Sequence, residues 1–274
     1  DPELIIIGYI KFFDYIKILI NSFFSKRKIY FHKELPSKND GFFINILRIM
    51  FYKFLFLRAS GIFCIGLKAR NFYSKLHKNS FYVPYSILPY KIKKKKIKKI
   101  NFTFVGQLIN RKSILEIIEA FKLLIKKFPN CNLNIIGAGY YKSICEKNSK
   151  NINQINFYSF KDQSFIKKKL CKSHVFLQPS KYDGWSVAAM QGMNAGLAII
   201  GTNTTNCISD NIKHMVNGYI CEANPNSILK GMTFYCDNVK ELKIHMKKNK
   251  IIFNNSLMNS NNLSKEVFKI ISQD

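Results

Sequence analysis

The sequence predicts an α/β protein built as two Rossmann-like doubly wound domains, the first of them incomplete, each around a mostly parallel sheet. Three observations carry this. Short apolar runs with strand-type residues alternate with longer segments of helical period along nearly the whole chain. A stretch rich in proline and lysine, residues 84–100, interrupts that alternation once. The segment Ser173 to Gly201 reads as strand, polar loop, helix and strand in succession, which is a βαβ unit. With 274 residues and 47% hydrophobic side chains the chain has material for real cores.

Taken in order, Leu4–Ile7 reads as a strand, Lys11–Phe24 as a helix and Lys28–Phe31 as a strand, before a polar break at Pro36–Gly41. The chain begins at Asp1 and enters an apolar strand at once, as a chain missing its beginning would. Phe42–Arg58 follows a long helical pattern, Gly61–Ile65 a strand, Leu67–Leu76 a helix and Phe81–Val83 a short strand. Composition then places a boundary: residues 1–86 form a first domain, 87–100 a Lys-rich linker, 101–250 a second domain and 251–274 a tail helix. In the second domain strands are expected at Phe102–Val105, Cys131–Ile136, Ile155–Tyr158, His174–Gln178 and Leu197–Ile200. Helices are expected at Ile114–Lys127, Gln163–Cys171, from Ser186 onward, at Ser227–Tyr235 and at Val239–Lys247, with an amphipathic helix at Leu263–Ile271. Thr202–Cys207 reads as a hydroxyl-rich and Asn-rich loop, and a turn at Asn217 and Gly218 precedes a last strand.

The chemistry concentrates between Pro179 and Gln191. Pro179 ends a strand because it has no N–H for the ladder, and Ser186 is placed to cap a helix whose face runs through Val187, Met190, Met193 and Leu197. A strand that feeds a helix through such a loop leaves backbone N–H groups free at the helix start, and these attract phosphate. Asp183 stands just ahead of them, and Gln191 lies one turn below Val187, so an acid and an amide flank one site. An ordinary βαβ unit with a polar turn has the same pattern, and these residues alone leave both readings open. A second loop, GQLINRKS after Gly106, carries Arg111 and Lys112 at the start of another helix. A third, GAGY from Gly137, permits close backbone approach, but Tyr140 and Tyr141 break any dinucleotide fingerprint.

The segment PSKYDGWSVAAMQGM resembles the signature of retaining GT-B glycosyltransferases, the glycosyl transferases group 1 family, in which two carboxylates eight positions apart flank a glycine and an aromatic. The resemblance implies a GT-B-like fold, with residues 1–86 as a partial acceptor-side domain and residues 101–250 as the nucleotide-sugar-binding domain. It implies transfer of a sugar from a nucleotide-diphosphate donor to a glycan, lipid-linked or other acceptor with retention of configuration, without a bound metal or other cofactor. By it Asp183 binds donor sugar hydroxyls, the backbone of Gly184, Trp185, Ser186 and Val187 meets the diphosphate, Trp185 walls the sugar pocket, and position 191 binds the ribose. Gly106 and Gln107 stand at the donor phosphates, where the family carries an Arg; Lys112 matches the family's Lys, with Arg111 beside it, and Gly137 lies near the nucleotide base. Asp183 and Lys112 are the expected catalytic residues. Departures are Gln191 for Glu, Gln107 for Arg and Ile7 before Gly8 for the acceptor-domain His, so a non-catalytic or degenerate nucleotide-sugar-binding partner is the alternative.

Lys and Arg total 44 against 16 acids, a formal charge of +28 that suits anionic partners. Nucleic acid is not among them, because the Phe residues fall at core periods rather than interleaved with Lys on one face. The run KIKKKKIKKI at 91–100 suits either a solvated linker or a peripheral contact with an anionic membrane, on its inner, cytoplasmic face. Seven cysteines are scattered singly with no zinc spacing, as in a reducing, cytoplasmic compartment. Charges interrupt every long apolar stretch, so no membrane span and no signal peptide are expected. His174 reads as a structural residue, and His32, beside Glu34, is the one histidine next to an acid in the first half.

Overall fold

Strand and helix alternation resolves into two parallel sheets in the computed structural model, which describes residues 4–8, 14, 16–18, 20, 27–36, 42–92, 97–159 and 162–273. Two compact units result: Asp1–Ser86 together with Leu263–Asp274, and Ile87–Asn262. The helix expected at Lys11–Phe24 falls mostly outside the described residues, as do Lys93–Lys96 of the lysine run.

In the first unit β1 (Leu4–Ile7), β2 (Lys28–Glu34), β3 (Gly61–Ile65) and β4 (Ser80–Tyr82) lie in that order, all parallel, with α1 (Phe42–Leu55) and α2 (Leu67–Tyr73) as connections. Successive strand residues face opposite sides, so alternate positions build separate cores. Ile29, Phe31, Ile62 and Cys64 pack with Leu55, Phe56 and Tyr73 on one side. Tyr30 and Phe63 point to the other, where their rings stack 4.6 Å apart.

The second unit runs β5 (Asn101–Val105), a 3-10 turn at Asn110–Lys112, α3 (Ile114–Lys127), β6 (Asn132–Ile136), α4 (Lys142–Asn148), β7 (Ile155–Tyr158) and α5 (Gln163–Lys172). It continues with β8 (Val175–Gln178), α6 (Val187–Asn194), β9 (Ala198–Gly201), α7 (Asn206–Asn211), β10 (Gly218–Ile220), α8 (Pro225–Asp237) and α9 (Val239–Asn255). The sheet order is β10-β9-β8-β5-β6-β7, parallel throughout. Phe102, Phe104, Val175, Leu177, Ala198 and Ile200 share one core with α3 and α8. A strand buried on both faces reads as a continuous apolar run, which is why β8 and β9 were visible in the sequence. In α3 the buried set Ile114, Ile117, Ile118, Phe121 and Leu124 follows the helical period, and each such side chain contributes roughly 1.5–3 kcal/mol over exposure.

Sequence patterning stops short in two places. The short helices α4 and α7 are polar on most faces and went unforeseen. Helix α9 was expected to end at Lys247 but continues to Asn255, past the expected edge of the second domain at residue 250. Its buried face includes His245 and Asn249, polar residues that mask the apolar period. Both find a partner inside the fold: Tyr235 Oη lies 2.8 Å from His245 Nδ1, and Asn249 Nδ2 donates to Leu197 O at 2.8 Å, while His245 Nε2 is buried with no hydrogen-bond partner among the described residues.

The entry to the second unit is tied down. Asn194 accepts from Tyr90 N at 2.8 Å and donates to Leu88 O at 2.9 Å, while Lys250 Nζ donates to Tyr90 O at 3.1 Å. Ile87 N donates to Met258 O at 3.0 Å and Ser260 N donates to Ile87 O at 3.1 Å, so entry and exit strands run side by side. The last helix, α10 (Ser260–Gln273), returns to the first unit, where Leu263, Val267, Ile270 and Ile271 cover Tyr30 and Phe63. Among the described residues no helix is long and apolar enough to cross a membrane.

Candidate functional site

After β5 the chain winds outward to β6 and β7, and after β8 it winds the opposite way to β9 and β10. The carboxyl ends of β5 and β8, which pair directly, therefore form the topological switch point, the place where open parallel sheets leave a crevice for ligands. The loop leaving β5 carries Gly106, Gln107, Arg111 and Lys112; the loop leaving β8 carries Asp183, Gly184, Trp185 and Ser186.

The two loops meet in an ion pair between Lys112 Nζ and the Asp183 carboxylate, each side chain only 12% exposed. Asp183 Oδ2 also accepts from Gln178 Nε2 at 3.1 Å, and Arg111 Nη1 lies 4.0 Å from Oδ1. Arg111 donates from the same nitrogen to Tyr182 O at 2.7 Å, and Lys181 N donates to Arg111 O at 2.9 Å, so backbone and side chain both stitch the loops together. Two cations therefore converge on one acid. The surplus positive charge sits at the crevice, where a phosphate would meet it.

The loop from β9 holds Asp183 from below. Asp183 N donates to Thr204 O and Asn206 N to Asp183 O, both at 3.2 Å, while Thr202 and Thr204 hydroxyls donate to Ser180 O at 2.6 and 2.7 Å. Asn206 Nδ2 donates to Gly184 O at 2.8 Å. Gln178, Thr204 and Asn206 were not singled out in the sequence. An amide closing the otherwise apolar run VFLQ was the available signal for Gln178.

Ser186 caps α6 as its spacing predicts, with Oγ accepting from Ala189 N at 3.2 Å. Its φ of 71° is left-handed, a conformation that L side chains avoid, and the surrounding loop holds it there. The first-turn N–H groups of α6 that precede Ala189 have no acceptor within the helix. Val187 is exposed at this start, and Gly184 is buried. Trp185, expected to wall a sugar pocket, is 1% exposed.

Gln191 is buried on α6 and donates from Nε2 to Gln163 Oε1 of α5 at 2.6 Å. That bond fixes the amide with its carbonyl oxygen turned away from Gln163. Gly137 meets the β5 loop so closely that an added Cβ would lie 1.9 Å from Gly106 O, and Leu108 N donates to Ala138 O at 2.9 Å. The glycines of GAGY thus serve backbone contact with the neighbouring loop. Gln107 is exposed beside them. Outside this site, His174 is structural, its Nδ1 accepting from Asn101 N at 3.1 Å, and His32 Nε2 bonds Val83 O at 2.9 Å. Among the described residues no cluster of His, Cys, Asp and Glu is arranged to hold a metal ion.

A doubly wound sheet with a basic loop on one central strand and an acidic loop on its neighbour defines a class: α/β proteins that bind a ligand at the switch point. The family model for glycosyl transferases group 1 matches residues 90–253, and the chain belongs to that family. The likeness seen in PSKYDGWSVAAMQGM is thereby confirmed at the level of the family. An uncharacterized glycosyltransferase of Haemophilus influenzae is 28% identical over 172 residues, 60% of this chain and 46% of the relative. Another from Methanocaldococcus jannaschii is 28% identical over 134 residues, 47% of this chain and 34% of the relative. The chain thus spans less than half the length of these two relatives. Among solved structures, Anabaena HepE in complex with UDP superposes with a TM-score of 0.80 at 11% identity, covering 98% of this chain and 79% of that one. S. aureus TarM, in complex with fondaparinux, alpha-GlcNAc-glycerol and UDP, gives 0.76 at 14% identity, covering 94% and 53%. These likenesses establish the GT-B fold.

Proposed function

We propose that this chain transfers a sugar from a nucleotide-diphosphate donor to a glycan or lipid-linked acceptor, with retention of configuration and without a bound metal. The observation that carries the reading is the Lys112–Asp183 pair across the switch point, with Arg111 beside it. Departure of a nucleoside diphosphate builds negative charge on oxygen, and fixed cations and amides aimed at that charge lower the barrier. Lys112 and Arg111 supply the cations, and the first-turn amides of α6 supply dipoles. Asp183 accepts from donor sugar hydroxyls, its free lone pairs steadied by Gln178. Without donor, Asp183 keeps the Lys112 ammonium compensated in a nearly closed site; with donor, phosphate takes over part of that role.

Gln191 is the ribose contact in this reading. With Nε2 engaged by Gln163, its free carbonyl oxygen presents an acceptor, as a Glu at this position would, but without the charge. That weaker acceptor also favours a second reading, a partner protein that keeps nucleotide-sugar binding and has lost transfer. Titration of the chain with UDP-sugars and GDP-sugars by calorimetry, alongside an assay for released nucleoside diphosphate, separates the two. Binding with turnover supports the enzyme, binding alone supports the partner, and no binding of either donor refutes the site. Gln191→Glu tightens nucleotide binding and Gln191→Ala weakens it if the position holds ribose; parent-like affinity in both removes Gln191 from the site. Peripheral contact of residues 87–100 with anionic membrane, on the cytoplasmic face, belongs to the same proposal and is checked by flotation with anionic and neutral vesicles.

A further inference from the structure

At the end of the second sheet opposite the Lys112 and Asp183 loops, a groove of about 340 Å³ opens between the starts of β5 and β6 and the end of α8. Two free thiols share it. Cys131 lies immediately before β6 and Cys236 in the last turn of α8, 105 positions apart, and their sulfurs are 3.6 Å from each other. Lys98, Lys99 and Lys127 line the same groove, with Asp237 as the nearby acid, 3.5 Å from Lys127 Nζ.

We propose that Cys131 and Cys236 are a modification site, a thiol pair that small peroxides convert to a disulfide. The sulfurs need to approach by roughly 1.5 Å to reach bonding distance of about 2.0 Å. One partner sits in a turn and the other at a helix end, the two kinds of backbone that yield most readily. Lys127 and Asp237 act on the Cys236 thiol in opposite directions, the lysine lowering its pKa and the aspartate raising it. The hydrogen bond from the Cys236 thiol holds Cys131 below the ordinary thiol range, and the same pairing pushes Cys236 up. In this proposal Cys131 is the attacking sulfur and Cys236 the resolving one. The Cys131 thiolate attacks one peroxide oxygen and breaks the O–O bond, leaving a sulfenic acid while the departing hydroxide becomes water. Cys236 sulfur then attacks the sulfenic sulfur; the S–S bond forms, the S–O bond breaks, and hydroxide leaves as a second water with the Cys236 proton. Two electrons pass from the two sulfurs to the peroxide.

Other thiols are poor competitors. Burial pushes Cys64 and Cys221 up to about 12 and Cys145 to about 11, and Cys207 faces the sulfur of Met258 at 3.9 Å rather than a second thiol. Cys171, half-buried, is the internal reference.

The test is titration of the full chain with hydrogen peroxide followed by alkylation and peptide mass spectrometry. The expected result is a cross-linked peptide joining Cys131 to Cys236, formed about tenfold faster than Cys171 is lost, reversed by dithiothreitol, with a raised thermal midpoint. In Cys236→Ser, dimedone traps a sulfenic acid at Cys131; in Cys131→Ser, Cys236 stays reduced at the same dose. Circular dichroism and the melting profile of both reduced variants establish that they fold. Oxidation of Cys171 before any cross-link, a cross-link through another cysteine, or unchanged loss of Cys236 in Cys131→Ser overturns the proposal.

Discussion

Replacing either member of the Lys112–Asp183 pair tests how the crevice is wired, and the two replacements differ. Asp183→Asn removes the charge while keeping the shape. It leaves the Lys112 ammonium, 12% exposed, without a counter-charge in contact. Breaking a buried pair in this way costs about 3–5 kcal/mol, and the residual exposure together with the remaining amide oxygen places the expected loss near ~3. Lys112→Met keeps the aliphatic stem and removes the ammonium instead. Asp183 then retains Gln178 Nε2 at 3.1 Å and Arg111 Nη1 at 4.0 Å, so the loss is about 1–2 kcal/mol. The expected gap of about 1–2 kcal/mol is a factor of 5–30 in the unfolding equilibrium. Trp185, the single tryptophan, is buried in the same loop and makes its emission a local reporter in urea titrations. Saturating nucleoside diphosphate should reverse the order of damage, because Lys112→Met loses a phosphate contact worth about 1–3 kcal/mol. Equal destabilisation by the two variants, or greater loss in Lys112→Met without ligand, refutes the claim that Gln178 and Arg111 hold Asp183 in reserve.

Gly137→Ala sets a Cβ 1.9 Å from Gly106 O at a backbone φ of +152°, so the loops must part; a loss of about 2–4 kcal/mol is expected, and a parent-like melting temperature would show that the loops do not meet. Asn194→Ala deprives Tyr90 N of its 2.8 Å acceptor and should cost about 2 kcal/mol, with faster hydrogen exchange at Tyr90 as the readout. Burial lowers the pKa of His32 and of His245 from the ordinary 6.5. Below 6.5 the unfolded chain then binds more protons than the folded one, so stability is complete above that pH and falls as pH drops through it toward the lower folded values. Urea midpoints measured from about pH 7 to 5 should decline, and His245→Asn should flatten part of that slope; a flat parent profile contradicts the burial of neutral histidines.

Asp183 and Lys112 were legible because each follows a strand and precedes a helix, a local pattern that places a loop at the carboxyl edge of a parallel sheet. Their direct contact was not, since it depends on β5 and β8 being neighbours, and nothing in either segment states the strand order. Gln163 shows the same limit: it meets Gln191 across 28 positions through the packing of α5 on α6, and its own surroundings in sequence are those of an ordinary helix start. Trp185 shows a related limit, because an aromatic beside a ligand loop has the same sequence signature whether its ring faces the ligand or the core. Strands were read well where both faces are buried. Helix ends were read poorly wherever polar residues such as His245 and Asn249 take core positions.

The hydrogen bonds that join Ile87 to Met258 and Ser260 bear on how the molecule can be cut and rebuilt. They make residues 87–262 a cassette whose two ends leave from one point, inserted in a host domain that is itself written in two pieces. Such a cassette is suited to excision as a single continuous chain, and to rejoining its ends through a short linker with new termini placed in an exposed loop. The host has no such independence. Tyr30 and Phe63 lie against Ile270, so one face of the host sheet is covered by a helix that follows the cassette in sequence.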